Sequence, residues 1–212
     1  MTARVSESMT GDIVLPFPEY HNPPEDPIGL LRTWLSRADD VGVREPRALA
    51  LATVAENGRP SSRIVAIAKV TAHGVCFASH TSSQKARDVR VNPYATGVLY
   101  WRETSQQIIL SGPITLMSED EANRSWKSRP AEAHPMSVAA RQSDDLLDVE
   151  ALREQASKLA RAGVDLPCPD SYRVFELRPE SMEFWADGQD RLHERLRFDR
   201  ITGGWTARRL QP

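Results

Sequence analysis

Apolar residues recur at helical spacing over Ile28, Leu31, Trp34, Leu35 and Ala38. Asp26-Pro27 opens that run as a cap and first-turn pair, and Gly42 closes it. The period then shortens. Ala48–Val54 and Ser61–Val70 are apolar runs on either side of Glu56-Asn57-Gly58, and Asn-Gly marks a hairpin turn. Gly74 leads into a strand over Val75–Ser79, and Ser83–Asn92 predicts a short helix stopped by Pro93. Gly97–Trp101 and Gln106–Met117 predict two more strands. Ser118-Glu119-Asp120-Glu121 has the form of a capping box and opens a helix to about Ser128. Leu146–Ala162 is amphipathic at helical period. Strands over Tyr172–Trp185, Leu192–Asp199 and Trp205–Leu210 complete the pattern, with Gly203-Gly204 turning the last hairpin.

Many short hairpins with a few helices between them predict a mainly β, α+β protein built on a small barrel. No internal repeat or low-complexity segment divides the chain. Residues 26–212 therefore read as a single domain. Residues 1–25 carry turn formers and four prolines and read as an extended N-terminal arm, either disordered or folded over a site.

Composition narrows the class. The 212 residues are enough to bury a substantial core. With 27 basic against 29 acidic residues, dispersed rather than in blocks, no electrostatic footprint for nucleic acid is present. No apolar run approaches the ~20 residues of a membrane span. No basic stretch leads into an apolar run at the start, and Cys76 and Cys168 lie far apart without a ligand pattern. A cytoplasmic, metal-free protein is the expectation. His21, His73 and His80 lack ligand spacing and read as surface or turn residues.

Two groups of residues suggest chemistry. From Trp185 to Arg195 the chain packs an indole, two guanidiniums and an imidazole, and a strand there would put Arg191, His193 and Arg195 on one face. That face suits a flat anionic ligand, and spacing alone fits a solvated edge strand as well. Ser79 ends a predicted strand, Lys85 lies in the first turn of the next helix, and Arg63 sits on a neighbouring strand. A helix N-terminus with two cations attracts phosphate, while each residue alone also fits an ordinary surface role.

The literal residues add a resemblance. Trp185 followed by Arg191-Leu192-His193-Glu194-Arg195 resembles the C-terminal signature of the pyridoxamine 5'-phosphate oxidase family of FMN-dependent oxidases. Ser6-Glu7-Ser8-Met9-Thr10-Gly11, Pro16-Phe17-Pro18-Glu19-Tyr20 and Leu99-Tyr100-Trp101-Arg102-Glu103-Thr104-Ser105-Gln106-Gln107 resemble the phenazine-biosynthesis branch of that family. The resemblance covers nearly the whole chain. It implies a split β-barrel, a homodimer, and FMN at the subunit interface. It implies FMN contacts at Arg63, Ile64, Val65 and Ala66, at Ala78 and Ser79, and at Gln84 and Lys85. Gln107, Gln142, Ser143, Trp185 and Arg195 complete that set, some of it from the second subunit. Gln84 departs from the arginine that vitamin enzymes often carry there.

On the substrate side the resemblance implies Arg129, Arg191 and His193, with His193 either moving a proton or serving as a neutral hydrogen-bond partner. His134, near Arg129, is a weaker candidate. Where the vitamin enzymes grip a phosphate with lysine, tyrosine, arginine and serine, this chain has Ala68, Ser125, Arg129 and Ala133. Lys69 is next to the missing lysine but on a strand faces the other way. A phosphorylated vitamer is thus disfavoured. The implied substrate is a small aromatic carboxylate, a reduced phenazine precursor, with O2 as electron acceptor and H2O2 as product. The alternatives are a pyridoxine/pyridoxamine 5'-phosphate oxidase and a non-catalytic flavin- or haem-binding split barrel.

Overall fold

The computed structural model describes residues 11–188 and 192–212. Helix α1 (Pro27–Asp40) starts where the Asp26 carboxylate accepts the Ile28 N–H at 2.9 Å. Pro27 fits its first turn because that position has no N–H acceptor to miss. The expected stripe of Ile28, Leu31, Trp34, Leu35 and Ala38 is buried.

Strand β1 (Ala48–Val54) alternates half-buried with buried residues and pairs antiparallel with β2 (Pro60–Ala66). Gly58, with φ of 78°, turns the hairpin between them. The expected single strand over Ser61–Val70 is in fact two. At Ile67 the N–H bonds the Arg47 carbonyl, and at Ala68 it bonds the Cys76 carbonyl. Consecutive residues bond on opposite sides, so the chain leaves one partner and joins the next. β3 (Lys69–Val70) then pairs with β4 (Val75–His80).

After α2 (Gln84–Val91), β5 (Tyr94–Trp101) and β6 (Gln106–Leu116) form a long hairpin. Then come α3 (Glu119–Ser128), a 3-10 turn at Ala131–Ala133, α4 (His134–Ala139) and α5 (Val149–Arg161). The capping box over Ser118–Glu121 forms as far as Ser118 Oγ accepting the Glu121 N–H. Helix α4 lacks a sequence signal because it is six residues long and contains Pro135. α5 begins later than its apolar pattern because Asp148 takes the cap, accepting the Ala151 N–H at 2.9 Å.

The expected strand over Tyr172–Trp185 divides into β7 (Tyr172–Leu177) and β8 (Ser181–Ala186). β6 is the cause. Its first half, Gln106–Ser111, pairs with β8, and its end, Ile114–Leu116, pairs with β7. The exchange falls at Gly112, where a Cβ would collide with the Arg178 carbonyl. β9 (Glu194–Ile201) and β10 (Gly204–Arg209) extend the sheet beyond β8. The strand order is β10-β9-β8-β6-β5-β1-β2, with β3, β4 and β7 branching from β6. All ladders are antiparallel, and the sheet curls into a split β-barrel with peripheral helices.

Leu49, Leu51, Leu99, Ile108, Leu110, Phe184 and Leu196 fill the interior without exposure. Each contributes roughly 1.5–3 kcal/mol by burial. Trp34 plugs one end, edge-on to Phe17 at 4.8 Å and to Phe184 at 5.2 Å. Phe17 therefore ties the described part of the N-terminal arm into the core. That arm includes a 3-10 turn at Pro18–Tyr20, and the Ile13 N–H bonds the Glu103 carbonyl at 3.0 Å. Among the described residues no helix is long and apolar enough to cross a membrane.

Candidate active site

The end of β4 and the start of α2 hold the first cluster. Ser83 caps α2, its Oγ accepting the Ala86 N–H. Ser79, at the end of β4, lies 3.0 Å from both Ser83 Oγ and the Lys85 ammonium. The Gln142 side-chain carbonyl accepts from Ser79 at 3.3 Å, and Ser143 Oγ accepts the Gln84 N–H at 3.0 Å. Ser143 holds φ at 69°, a left-handed conformation that costs a non-glycine residue about 1–3 kcal/mol. Two loop residues some sixty positions away are thus fastened to the α2 N-terminus, and a strained backbone is kept in order to do it.

The electrostatics of this cluster are unfinished. Arg63 donates to the Leu51 carbonyl at 3.1 Å, to Thr53 Oγ1 at 2.7 Å and to Ser61 Oγ at 2.6 Å, and stands 3.9 Å from Asp88. Burial alone would raise the Asp88 pKa. Hydrogen bonds from Thr53, Gln84 and Ser61, with the charge of Arg63, outweigh it and hold the carboxyl below its usual range. Lys85 has no carboxylate within ion-pair reach among the described residues. Burial first, and the charge of Arg63 second, push its pKa down. Of the two cations near this helix N-terminus, Arg63 has one carboxylate and Lys85 has none among the described residues, and a phosphate dianion is the group this donor set fits. Gln84 is turned away: its amide donates to Asp88 at 2.7 Å and its carbonyl accepts from Arg87 at 3.0 Å.

From Ser79, Lys85 and Gln142 a cleft of about 390 Å³ runs past Ile64, Val65, Ala66, Ala68 and Ala78 to Ser125 and Arg129. That volume is in the range of small-molecule sites. Arg129 is clamped at its far end. Its guanidinium lies 5.4 Å from the Trp126 ring centroid and 5.3 Å from that of Tyr172. It also donates to Ser137 Oγ at 3.1 Å. His134 stacks on the other contact ring, Trp126, at 4.1 Å and 14°, so its place is in packing. Lys69 is engaged with Glu121 at 3.2 Å, outside the cleft, as its strand position predicts.

His80 corrects the sequence reading. It is buried, 2% exposed, and lines the same cleft. Burial first, then Arg129 and Lys85, lower its pKa and keep it neutral.

A second cluster lies on the other sheet segment. Gln107 of β6 faces Trp185 of β8, and Trp185 faces Arg195 of β9 in direct register. Arg195 donates to Glu183 at 2.8 Å and to the Gln211 carbonyl at 2.9 Å. The ring of His193 tilts against Trp185 at 4.9 Å, and its Nδ1 is 2.9 Å from Asp187, close enough to pair when protonated but out of line for a hydrogen bond. β9 begins at Glu194, so the expected strand face of three cations is not built: His193 precedes the strand, and Arg191 lies outside the described residues. None of Gln107, Trp185, His193 and Arg195 lines the cleft within one chain.

Sequence reasoning missed Asp88, Trp126, Ser137 and Tyr172. Asp88 left a signal, four residues after Gln84 on one helix face; the others left none that is local. A separate, mainly apolar hollow is lined by Ala86, Val89, Ile114, Leu116 and Phe175, with Thr81 and Arg90 as its polar residues.

This fold and this cleft define a class. A family model for pyridoxamine 5'-phosphate oxidase matches residues 37–186, and the chain belongs to that family. Residues 172–212 match the pyridoxine 5'-phosphate oxidase C-terminal dimerisation region. Within the family, the chain is 55% identical over 208 residues to the dihydrophenazinedicarboxylate synthase of Pseudomonas chlororaphis, covering 98% of this chain and 94% of that one. It is 34% identical over 189 residues to a pyridoxine/pyridoxamine 5'-phosphate oxidase of Herminiimonas arsenicoxydans, covering 88% and 90%. The crystal structure of PhzG from Burkholderia lata 383 in complex with tetrahydrophenazine-1-carboxylic acid matches with a TM-score of 0.93 at 46% identity, covering 95% of this chain and 100% of that one.

Proposed function

We propose that the protein is an FMN-dependent homodimeric oxidase that aromatises reduced phenazine carboxylates. The observation that carries this reading is the charge layout of the cleft. One end has Lys85, without a carboxylate partner among the described residues, at a helix N-terminus with Arg63 behind it, and the other has a single clamped arginine. The first suits the cofactor phosphate and the second a monoanion, with apolar β2 residues between them for flat rings. The relatives named for dihydrophenazinedicarboxylate synthesis support the choice of substrate.

Ser79, Lys85, Gln142 and the α2 N-terminus would hold the FMN phosphate, with Arg63 behind them. Gln107, Trp185 and Arg195 of the second subunit would meet the ring system, where a cation favours a reduced, anionic flavin edge. Bound FMN supplies the two-electron acceptor that O2 reoxidises, giving H2O2. Arg129 holds the substrate carboxylate, and Ile64, Val65 and Ala66 keep water from the ring. His193, set against the Trp185 ring, would take the proton released as the substrate ring becomes aromatic, and its charged form would pair with Asp187.

The rival reading, a vitamer oxidase, is opposed by the absence of a second cation beside Arg129. Ala68 contributes no charge, and Lys69 is bound to Glu121. The test compares kcat/KM for a reduced phenazine carboxylate and for pyridoxine 5'-phosphate on flavin-loaded protein. The first should exceed the second by orders of magnitude. Efficient turnover of the vitamer would reverse the assignment. A carrier would show neither activity, nor anaerobic bleaching by substrate with colour restored in air.

A further inference from the structure

The far end of the cleft contains more than the arginine. Helix α3 carries Ser125 in its last turn and ends on Arg129 as its C-terminal cap, and β7 brings Tyr172 up against both. Ser125 Oγ and the Tyr172 hydroxyl are 3.0 Å apart. Two hydroxyls joined by one hydrogen bond leave one O–H proton over, whichever of them donates. Its neighbours cannot absorb it usefully. Ser128 spends its proton on the Ser125 carbonyl, and Ser137 spends its own on the Ala133 carbonyl while accepting from Arg129. On Arg129, the contacts to Ser137 and the Ala133 carbonyl both use Nη2, so Nε and Nη1 keep their N–H groups without a protein acceptor among the described residues.

We propose that the Ser125–Tyr172 hydroxyl pair, set beside the clamped Arg129, forms a subsite for one carboxylate, and that Tyr172 determines the specificity of that subsite. This rests on the function proposed above. A carboxylate has two oxygens and one charge. The free Nε or Nη1 of the guanidinium can donate to one of its oxygens, and the spare hydroxyl adds a second donor. A phosphate dianion would need a second cation. His80 is neutral, Ala68 is uncharged, and Lys85 lies at the cofactor end of the cleft. The tyrosine missing from α3 is thus replaced by a tyrosine arriving from β7, arranged for a smaller charge.

The test is equilibrium binding by calorimetry to the flavin-loaded dimer, with phenazine-1-carboxylate and unsubstituted phenazine as probes. Wild type should prefer the carboxylate. Tyr172→Phe, which keeps the ring under Arg129, should cut that preference about tenfold, as expected for one hydrogen bond to a charged group. Ser125→Ala should act in the same direction, and binding of unsubstituted phenazine and FMN content should stay unchanged in both. If Tyr172→Phe fails to fold, Ser125→Ala decides the matter alone. No preference in wild type, or an undiminished preference in the folded variants, overturns the subsite. If the variants lose the preference but no reduced phenazine carboxylate is oxidised by wild type, the subsite stands and the proposed activity falls.

Discussion

The two clusters that the family resemblance assigns to one cofactor are built on opposite electrostatic plans. Around β4 and α2, Lys85 has only serine for a partner among the described residues, and Arg63 shares a single buried carboxylate with two hydroxyls and an amide. Across β6, β8 and β9, Arg195 is matched to Glu183, and Trp185 is covered to 8% exposure. One region carries positive charge in want of an anion, and the other sets a carboxylate-paired cation beside a flat ring. On the proposed function, the difference teaches that one ligand does not require similar half-sites. A phosphate needs fixed excess charge, whereas a ring system needs a planar wall and hydrogen bonds at its edge.

The strongest way to break this comparison is to show that the two regions do not serve the same site. Arg63→Ala and Arg195→Ala are each expected to abolish most oxidase activity. Mixed and allowed to exchange subunits, they should form heterodimers with about one intact site of two, because an isologous dimer pairs each cluster with the other chain's partner cluster. No recovery after proven exchange would separate the clusters. A sharper contrast comes from Lys85→Ala. The loss of one charged hydrogen bond should weaken FMN by about 10- to 100-fold while riboflavin changes little. Fluorescence titration with both flavins checks this, and equal losses would remove the phosphate from that end of the cleft.

The smallest effect concerns the buried carboxylate beneath the first cluster. Asp88 titrates below its usual range when folded, so the unfolded chain takes up its proton first as pH falls. Its stabilising contribution is therefore complete above about pH 4 and is lost as the pH drops through the lowered folded value. Asp88→Asn should be less stable than wild type at neutral pH and should shed less stability between neutrality and acid. Urea midpoints at several pH values would show it, and parallel acid profiles for the two proteins would argue that Asp88 is not held ionised.

Much of the architecture was legible because its signals are local. Asp26-Pro27, Ser83 and Ser118 cap helices within three or four residues, and Asn57-Gly58 turns a hairpin with nothing distant involved. Ser79 and Lys85 were readable for the same reason, being six residues apart across one strand-to-helix turn. Other features depended on partners that a linear pattern does not name. The runs at 61–70 and 172–185 look continuous, since apolar alternation records burial and not which strand lies alongside. Only the approach of the Arg178 carbonyl to Gly112 shows where β6 changes partner. His80 reads as a turn residue until Ser171 and Tyr172 cover it. The sequence by itself determined the capped helices, the Asn57-Gly58 hairpin and the nearness of Ser79 to Lys85, because short-range geometry and charge are encoded in neighbouring residues. Tertiary structure alone decided that Arg129 would lie between Trp126 and Tyr172 with a spare hydroxyl at hand. That arrangement joins a helix to a strand 43 residues further on, and only the packing of α3 on β7 brings them together.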